Sequence, residues 1–428
     1  MGKLKYCVLH IGTEKTGTST IQRFLASNRQ RLLEEDVVYT NCSDVDGGSQ
    51  TAFVVYAQQK PWTNRLGRDL KITSPQTQAE FQQRIRKIVE SAAEQHAGAT
   101  LLISSEHFHS RLVSIEEITA LKNLLAPFVE NFRVLAYLRR QDRLAVSSYS
   151  TKIKAGAANP VLFPGLGVEN TLLHYFDYLG LYEKWGAVFG KRAIEFRIFD
   201  RAELKQGDLL QDFTEWVGFS HAGKELPGSV NESLNQNGAD FLLRANRILA
   251  NGQENARRTS LHAFVSRICT GKILLATKGD AEAFYRKYAG SNSILRELAF
   301  PNRDGLLFDE DFSDYPETSS AEPNFDAAVK IGVDIWARGE QMEKRLKGES
   351  LYYRALLAKE RGDIQNAVLY FNRAIELRPN YIEAHIELAK LYRDCNDVER
   401  VSQLVEKAAQ LDKAKQFGIA LAELRANG

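Results

Sequence analysis

Apolar and polar positions along this chain follow two regimes. From the N-terminus to about Phe312, short runs of consecutive apolar residues alternate with longer stretches in which apolar residues recur every three or four positions. The short runs are Tyr6–Ile11, Val37–Thr40, Leu101–Ser104 and Arg133–Leu138, and Ile194–Phe199, with Glu195 and Arg197 among its apolar residues, reads as a further strand. Tyr6–Ile11 and Leu101–Ser104 suit strands buried on both faces, and the other segments read as strands beside them. Helical periodicity marks Thr18 to about Glu35, where Ile21, Phe24, Leu25 and Leu32 share a face. It returns over Gln76–Gln95, with Phe81, Ile85, Ile88 and Val89, and over Ile115–Phe128, Arg143–Lys154 and Leu209–Val217. Strands alternating with helices predict a three-layer α/β domain with a mainly parallel sheet and helices on both faces. The pattern is helical from Leu234 to Leu298. A Pro-, Asp- and Ser-rich segment follows, with Pro301, Asp309–Phe312 and Pro316–Pro323, and predicts the domain boundary.

Beyond that boundary Phe325–Leu346 reads as a linking helix, and from Gly348 a pattern repeats with a period of about 34 residues. Its first unit holds Leu351, Ala355, Ala358, Ala367, Phe371, Ala374 and Pro379; its second holds His385, Ala389, Tyr392, Val401, Val405 and Ala408. Small residues where two helices cross, a large one at Phe371 and a proline ending the second helix resemble tetratricopeptide repeats. Lys413–Asn427 fits a capping helix. The expected divisions are residues 1–316, a linker over 317–347 and an all-α helical-repeat module over 348–428. Two repeats fall short of the roughly three needed for independent stability. The module is therefore expected to pack on the main domain, on a second subunit or on a protein partner.

Composition narrows the function classes. Apolar residues make up 44% and charged residues 26% of the 428, with a net charge of +2. That balance predicts no nucleic-acid partner recruited by bulk charge, though it leaves room for a local basic pocket. Cys7, Cys42, Cys269 and Cys395 are far apart and form no CxxC pair, so neither a metal site nor a disulfide framework is expected. The N-terminal apolar run is too short for a signal peptide, and no segment offers the roughly 20 apolar residues that cross a bilayer. The expectation is a cytoplasmic protein.

The segment most suited to chemistry is His10-Ile-Gly-Thr-Glu-Lys-Thr-Gly-Thr-Ser-Thr20, between a predicted strand and a predicted helix. Glycines allow successive N–H groups to converge on an anion, and the helix start adds its positive end. Gly12 and Gly17 have the spacing of a nucleotide-triphosphatase loop, but Thr18 stands where that motif has lysine. The lysine is Lys15, inside the loop. Strand, Lys15-Thr16-Gly17-Thr18-Ser19-Thr20 and helix resemble the 5′-phosphosulfate loop of the sulfotransferase superfamily. A second element supports the likeness: Arg139 ends a predicted strand and Ser147 lies eight residues on. In that superfamily an arginine and a serine so spaced hold the 3′-phosphate of the donor. Arg140 is the alternative through a one-residue shift. Glu195–Gly218, Val230–Asn237 and Tyr285–Phe312 are also similar to bacterial members.

The resemblance implies a P-loop-type fold and a donor, 3′-phosphoadenosine-5′-phosphosulfate. It implies a hydroxyl acceptor, most readily a carbohydrate or glycolipid, and no metal requirement. One feature departs from it: the C-terminal Arg-Lys-Gly loop of the cytosolic small-molecule enzymes is missing, which argues against phenol or steroid acceptors. Sulfuryl transfer needs a base beside the donor loop. Ser104-Ser105-Glu106-His107-Phe108-His109 follows a predicted strand, and the superfamily uses Glu or His in this role. Glu106 leads, with His107 and His109 as competitors. Two other readings remain open. One is a phosphoryl-transfer enzyme with Glu106 as a metal partner. The other is an interaction protein whose repeats are its working part.

Overall fold

In a computed structural model of the chain, the segment Leu4–His10 (β1) is the central strand of a five-stranded sheet ordered β2-β3-β1-β4-β5. The others are β2 (Val37–Tyr39), β3 (Thr100–Ser104), β4 (Val129–Leu138) and β5 (Ile194–Ile198), and every pairing is parallel. The structure describes residues 2–42, 45, 50–166, 173–226, 234–249, 255–271, 276–318, 324–413 and 415–426. Residues 230–233 of the Val230–Asn237 stretch, 319–323 of the boundary segment, and 414 and 427 of the capping-helix segment lie outside these.

Strand alternation sorts the core onto two faces. Cys7 and Leu9, Leu101 and Ile103, and Val134 and Ala136 point to one side. There they meet Phe81 and Ile85 of the helix Pro75–Gln95, Leu121 of Ile115–Leu125, and Trp185 of Tyr178–Phe189. Val8, Leu102, Leu135 and Tyr137 point to the other, against Ile21 and Phe24 of the helix Thr18–Ser27 and Phe213 of Leu209–Val217. A strand buried on both sides requires an unbroken apolar run, which Cys7–Leu9 and Leu101–Ile103 provide, while the edge strand β5 alternates buried Ile194, Phe196 and Ile198 with half-buried Glu195 and Arg197.

Helix ends follow local chemistry in several places. Ser74 and Ser114 cap Pro75–Gln95 and Ile115–Leu125, and Asp208 caps Leu209–Val217. The helix predicted from Thr18 to Glu35 is instead two, Thr18–Ser27 and Arg29–Leu33. Asn28 separates them: its amide donates to the Phe24 carbonyl (2.8 Å) and to the distant Glu225 carbonyl (2.9 Å). A side chain so engaged competes with the helical backbone. The helical stretch after Leu234 contains Gln236–Leu249, Asn255–Ile268 and Lys278–Ala299.

The chain divides into two compact units, Met1–Pro323 and Asn324–Gly428. The second is entirely helical: Phe325–Glu360, Ile364–Leu377, Ile382–Asp394, Val398–Leu411 and Gly418–Ala426. The segment read as a linker and the first repeat helix form one continuous helix of 36 residues. No proline interrupts it, and Gly348 lies against the C-terminal end of Ile364–Leu377; a Cβ there would be 3.4 Å from the Ala374 carbonyl oxygen. Ala355, Ala358, Ala367 and Phe371 are buried between the first two helices, and Ala389, Val401, Val405 and Ala408 between the next two. Among the described residues no helix is long and apolar enough to cross a membrane.

Phe371 is fully buried among these small residues. Phe371→Ala is expected to destabilise the protein by about 3–5 kcal/mol, measured by urea denaturation followed through the helical signal. An unchanged midpoint would contradict the packing described.

Candidate functional site

The loop after β1 is stitched to its neighbours by backbone bonds. Thr13 N–H donates to the Tyr137 carbonyl (3.0 Å) and Tyr137 N–H to the Gly12 carbonyl (2.7 Å), while Ser105 N–H reaches the His10 carbonyl (3.1 Å). Gly12 and Gly17 take left-handed backbone angles, φ 107° and 76°, and both approach other segments closely. A Cβ on Gly12 would lie 3.2 Å from Glu106 Cα, and one on Gly17 2.2 Å from a Leu209 methyl. Only glycine meets both demands at once. Lys15 is also left-handed, with φ 64°.

The hydroxyls of Thr16 and Thr18 both turn inward and donate to the Thr13 carbonyl, at 2.6 and 3.2 Å. They shape the loop. Among the described residues, the N–H groups from Glu14 through Ser19 have no partner in the protein, and the Ser19 and Thr20 hydroxyls make no protein hydrogen bond. Unpaired donors converging at a helix N-terminus form an anion cradle.

Arg139 and Arg140, alike in sequence, have different environments. Arg140 is saturated: Nε and Nη2 grip Asp142 (2.8 and 3.0 Å), and Nη1 donates to the Asp309 carbonyl and carboxylate and to the Asp311 carbonyl. Its guanidinium also lies 4.1 Å from the Phe312 ring centre. The Arg139 guanidinium makes one hydrogen bond among the described residues, Nη1 to the Lys15 carbonyl (2.9 Å), and sits beside the Phe199 ring. The Tyr178 hydroxyl holds its carbonyl at 2.6 Å. Arg139 thus braces the loop after β1 and keeps most of its fork available. Ser147 is half-buried on the helix Gln141–Lys154, and its hydroxyl makes no protein hydrogen bond among the described residues.

The turn after β3 brings three titratable groups near the loop. Glu106 accepts from the Gln22 amide at 2.7 Å, and Gln22 also donates to the Ser104 carbonyl at 3.3 Å. His107 begins a one-turn helix, His107–Arg111, and places Nδ1 3.9 Å from Glu14 Oε1. His109 is fully buried against His174 and Tyr175, and burial pushes it down to about 3. A neutral, enclosed imidazole of that kind is a poor base for an acceptor arriving from solvent.

Two residues absent from the sequence reading belong to this neighbourhood. Glu14 carries the Tyr175 hydroxyl on Oε2 at 2.7 Å, across a separation of 161 residues. Lys154, at the end of the Gln141–Lys154 helix, lies close enough to Lys15 to disfavour its charge. Burial first, and then Lys15, holds the Lys154 ammonium below the usual lysine value. Lys15 is likewise held down, chiefly by burial; Glu14 and Glu106 favour its charge and Arg139 opposes it. A buried lysine beside other cations is stabilised by an arriving anion. A helical signal placed Lys154 on an element, but its proximity to Lys15 depends on the fold.

No family model matches this chain. It is similar to an uncharacterized protein of Archaeoglobus fulgidus, 25% identical over 210 residues, covering 45% of this chain and 55% of that protein. It is also similar to superkiller protein 3 of Saccharomyces cerevisiae, 26% identical over 118 residues, covering 26% of this chain and 8% of that protein. The chain thus spans about half the length of the first relative and a small part of the second. Among solved structures it is similar to the crystal structure of a sulfotransferase from Alicyclobacillus acidocaldarius, with a TM-score of 0.33 and 13% identity over 62% of this chain and 96% of that one. Likenesses of this degree do not assign a family.

The two arginines can be told apart by stability. Arg140→Ala removes the cation paired with Asp142, which is fully buried and keeps the Tyr315 hydroxyl as a donor at 2.7 Å, and is expected to cost about 3–5 kcal/mol. Arg139→Ala should cost much less, so equal losses in chemical denaturation would contradict the division of roles.

Burial pushes His10, like His109, down to about 3, below the unfolded value near 6.5. Across that window the unfolded chain binds more protons, so stability rises with pH and is lost as pH falls below about 6.5. His109→Gln should flatten the slope of urea midpoint against pH between about 7 and 5. An unaltered slope would show that His109 already titrates normally in the folded protein.

Proposed function

We propose that this chain is a sulfotransferase that moves a sulfuryl group from 3′-phosphoadenosine-5′-phosphosulfate to a hydroxyl acceptor. The observation that carries this reading is the loop itself. A run of unpaired N–H groups from Glu14 to Ser19 surrounds Lys15, and Arg139, its fork still available, is hydrogen-bonded to the Lys15 carbonyl. The sequence resemblance gives those parts their roles.

The N–H groups and Lys15 suit the 5′-phosphosulfate. Lys15 would neutralise the charge that builds on the phosphate oxygen as the bond to sulfur breaks. Arg139 and the Ser147 hydroxyl suit the 3′-phosphate, since a guanidinium forks onto phosphate oxygens. Thr16, Gly17 and Thr18 set the loop's shape, and Ser19 and Thr20 offer hydroxyls at its rim. The base is assigned to the turn after β3, where Glu106 and His107 both lie. No metal is assigned a role, because the donor has no bridge between terminal phosphates that would call for one. A carbohydrate or glycolipid is the acceptor class we favour, on resemblance alone. All these residues fall in the unit Met1–Pro323, so the helical unit is left for assembly, either with another protein or with a second copy.

Variant kinetics test the assignment. Lys15→Ala is expected to lower kcat by roughly 10²–10³-fold with a smaller change in donor affinity. Arg139→Ala should weaken donor binding by roughly 10–100-fold and erase the preference for donor over its analogue lacking the 3′-phosphate. Transfer at the parent rate by the Lys15 variant would remove that residue from the mechanism. ATP–Mg²⁺ turnover with no sulfuryl transfer would replace the proposal with phosphoryl transfer.

A further inference from the structure

We propose that Glu14 and His107 work as a pair, in which His107 accepts the proton of the attacking hydroxyl and Glu14 is the positioning residue. This rests on the sulfuryl-transfer reading above. His107 Nδ1 is enclosed and has no hydrogen-bond partner, and the nearest carboxylate oxygen is Glu14 Oε1 at 3.9 Å. The side chain is 28% exposed. With Nδ1 enclosed, Nε2 is the nitrogen left for an acceptor. An apo site commonly shows such a catalytic contact longer than a hydrogen bond, and it tightens when substrate fills the site.

Glu14 is held for the task from its other side. The Tyr175 hydroxyl donates to Oε2 at 2.7 Å, which fixes the carboxylate and leaves Oε1 turned to the imidazole. Burial, with Glu14 next, raises Tyr175 far above the usual phenol value, so it remains a donor throughout the working range of pH. The competing carboxylate is differently placed: Glu106 Oε2 is occupied by the Gln22 amide, which also grips the Ser104 carbonyl. Glu106 thus ties the turn after β3 to the helix Thr18–Ser27. Lys15, next to Glu14 in the loop, stays beside the leaving phosphate.

The step balances without any further reactant. The acceptor oxygen bonds to sulfur while the bond from sulfur to the 5′-phosphate oxygen breaks. The hydroxyl proton passes to His107 Nε2, and the leaving oxygen keeps the electron pair. The imidazolium that forms directs its Nδ1–H at Glu14 Oε1. The products are a sulfate ester and adenosine 3′,5′-bisphosphate. A carboxylate placed on the far nitrogen holds the ring and offsets its new charge.

The experiment is a double-mutant cycle on the full chain, with bisphosphate affinity and acceptor KM measured beside kcat. Glu14→Gln should lower kcat by roughly 10–100-fold and leave bisphosphate affinity within about twofold, while His107→Ala lowers kcat by roughly 10²–10⁴-fold. In the His107→Ala background, adding Glu14→Gln should change kcat by less than about twofold, because Glu14 acts through the imidazole. Tyr175→Phe should lower kcat severalfold in the parent and not in the His107 variant. Losses that multiply in the double variant, or a Glu14→Gln enzyme with parental kcat, would overturn the pairing. So would loss of bisphosphate affinity in Glu14→Gln, which would make Glu14 a structural part of the donor loop. A parent chain that binds no bisphosphate would overturn the sulfotransferase reading first, and this inference with it.

Discussion

The central constraint is that β1 is hydrogen-bonded along its length to β3 on one side and β4 on the other. All three strands run parallel, so their carboxyl ends finish side by side. Each then delivers a different part: β1 the loop of unpaired N–H groups around Lys15, β3 the turn with Glu106 and His107, and β4 the two arginines. In the order β2-β3-β1-β4-β5 the connections change direction at β1. A parallel sheet opens its crevice at such a point. The register makes the placement tight, since His10 is level with Ser104 and with Leu135. Gly12 can therefore approach Glu106, and across the strand ends Tyr137 N–H donates to the Gly12 carbonyl while the Tyr137 carbonyl accepts from Thr13 N–H.

On that frame the electrostatics follow from burial. Lys15, Arg139 and Lys154 are partly removed from water and near one another, so burial leaves each less favourably charged than an exposed residue would be. Glu14 and Glu106 offset part of this for Lys15. An anion in the cradle would complete the compensation while filling the N–H groups that the protein leaves unpaired. The loop's own threonines reinforce this division, because Thr16 and Thr18 bind the Thr13 carbonyl and leave the backbone to face a ligand.

Much of this was legible in the sequence, for physical reasons that differ by element. The central strands β1 and β3 coincide with apolar runs, because burial on both faces leaves no room for alternation, whereas the edge strand β5 alternates Ile194, Phe196 and Ile198 with Glu195 and Arg197. Several helix starts coincide with Ser or Asp caps. The break at Asn28 was not legible, since it depends on a bond to Glu225 far along the chain. Nor was the unbroken helix Phe325–Glu360, because a repeat pattern marks which residues pack and not where a helix begins. Arg139 and Arg140 are indistinguishable by type and spacing; Asp142 and Asp309 separate them. Glu14 sits inside the motif, but its place in the site depends on Tyr175 and His107, which come from other segments.

The claim at the centre is that the loop holds strained positive charge that an anionic nucleotide relieves. Calorimetric titration with adenosine 3′,5′-bisphosphate tests it most directly. The titration is run without metal at a series of pH values rising to the ordinary lysine value of about 10.4, in two buffers of different ionisation enthalpy. Lys15 is held below the usual lysine value in the free protein, and a bound phosphate would raise it. The account predicts binding accompanied by net proton uptake, with the uptake reduced in Lys15→Met. Binding that takes up no proton, or that appears only when Mg²⁺ is added, would contradict it.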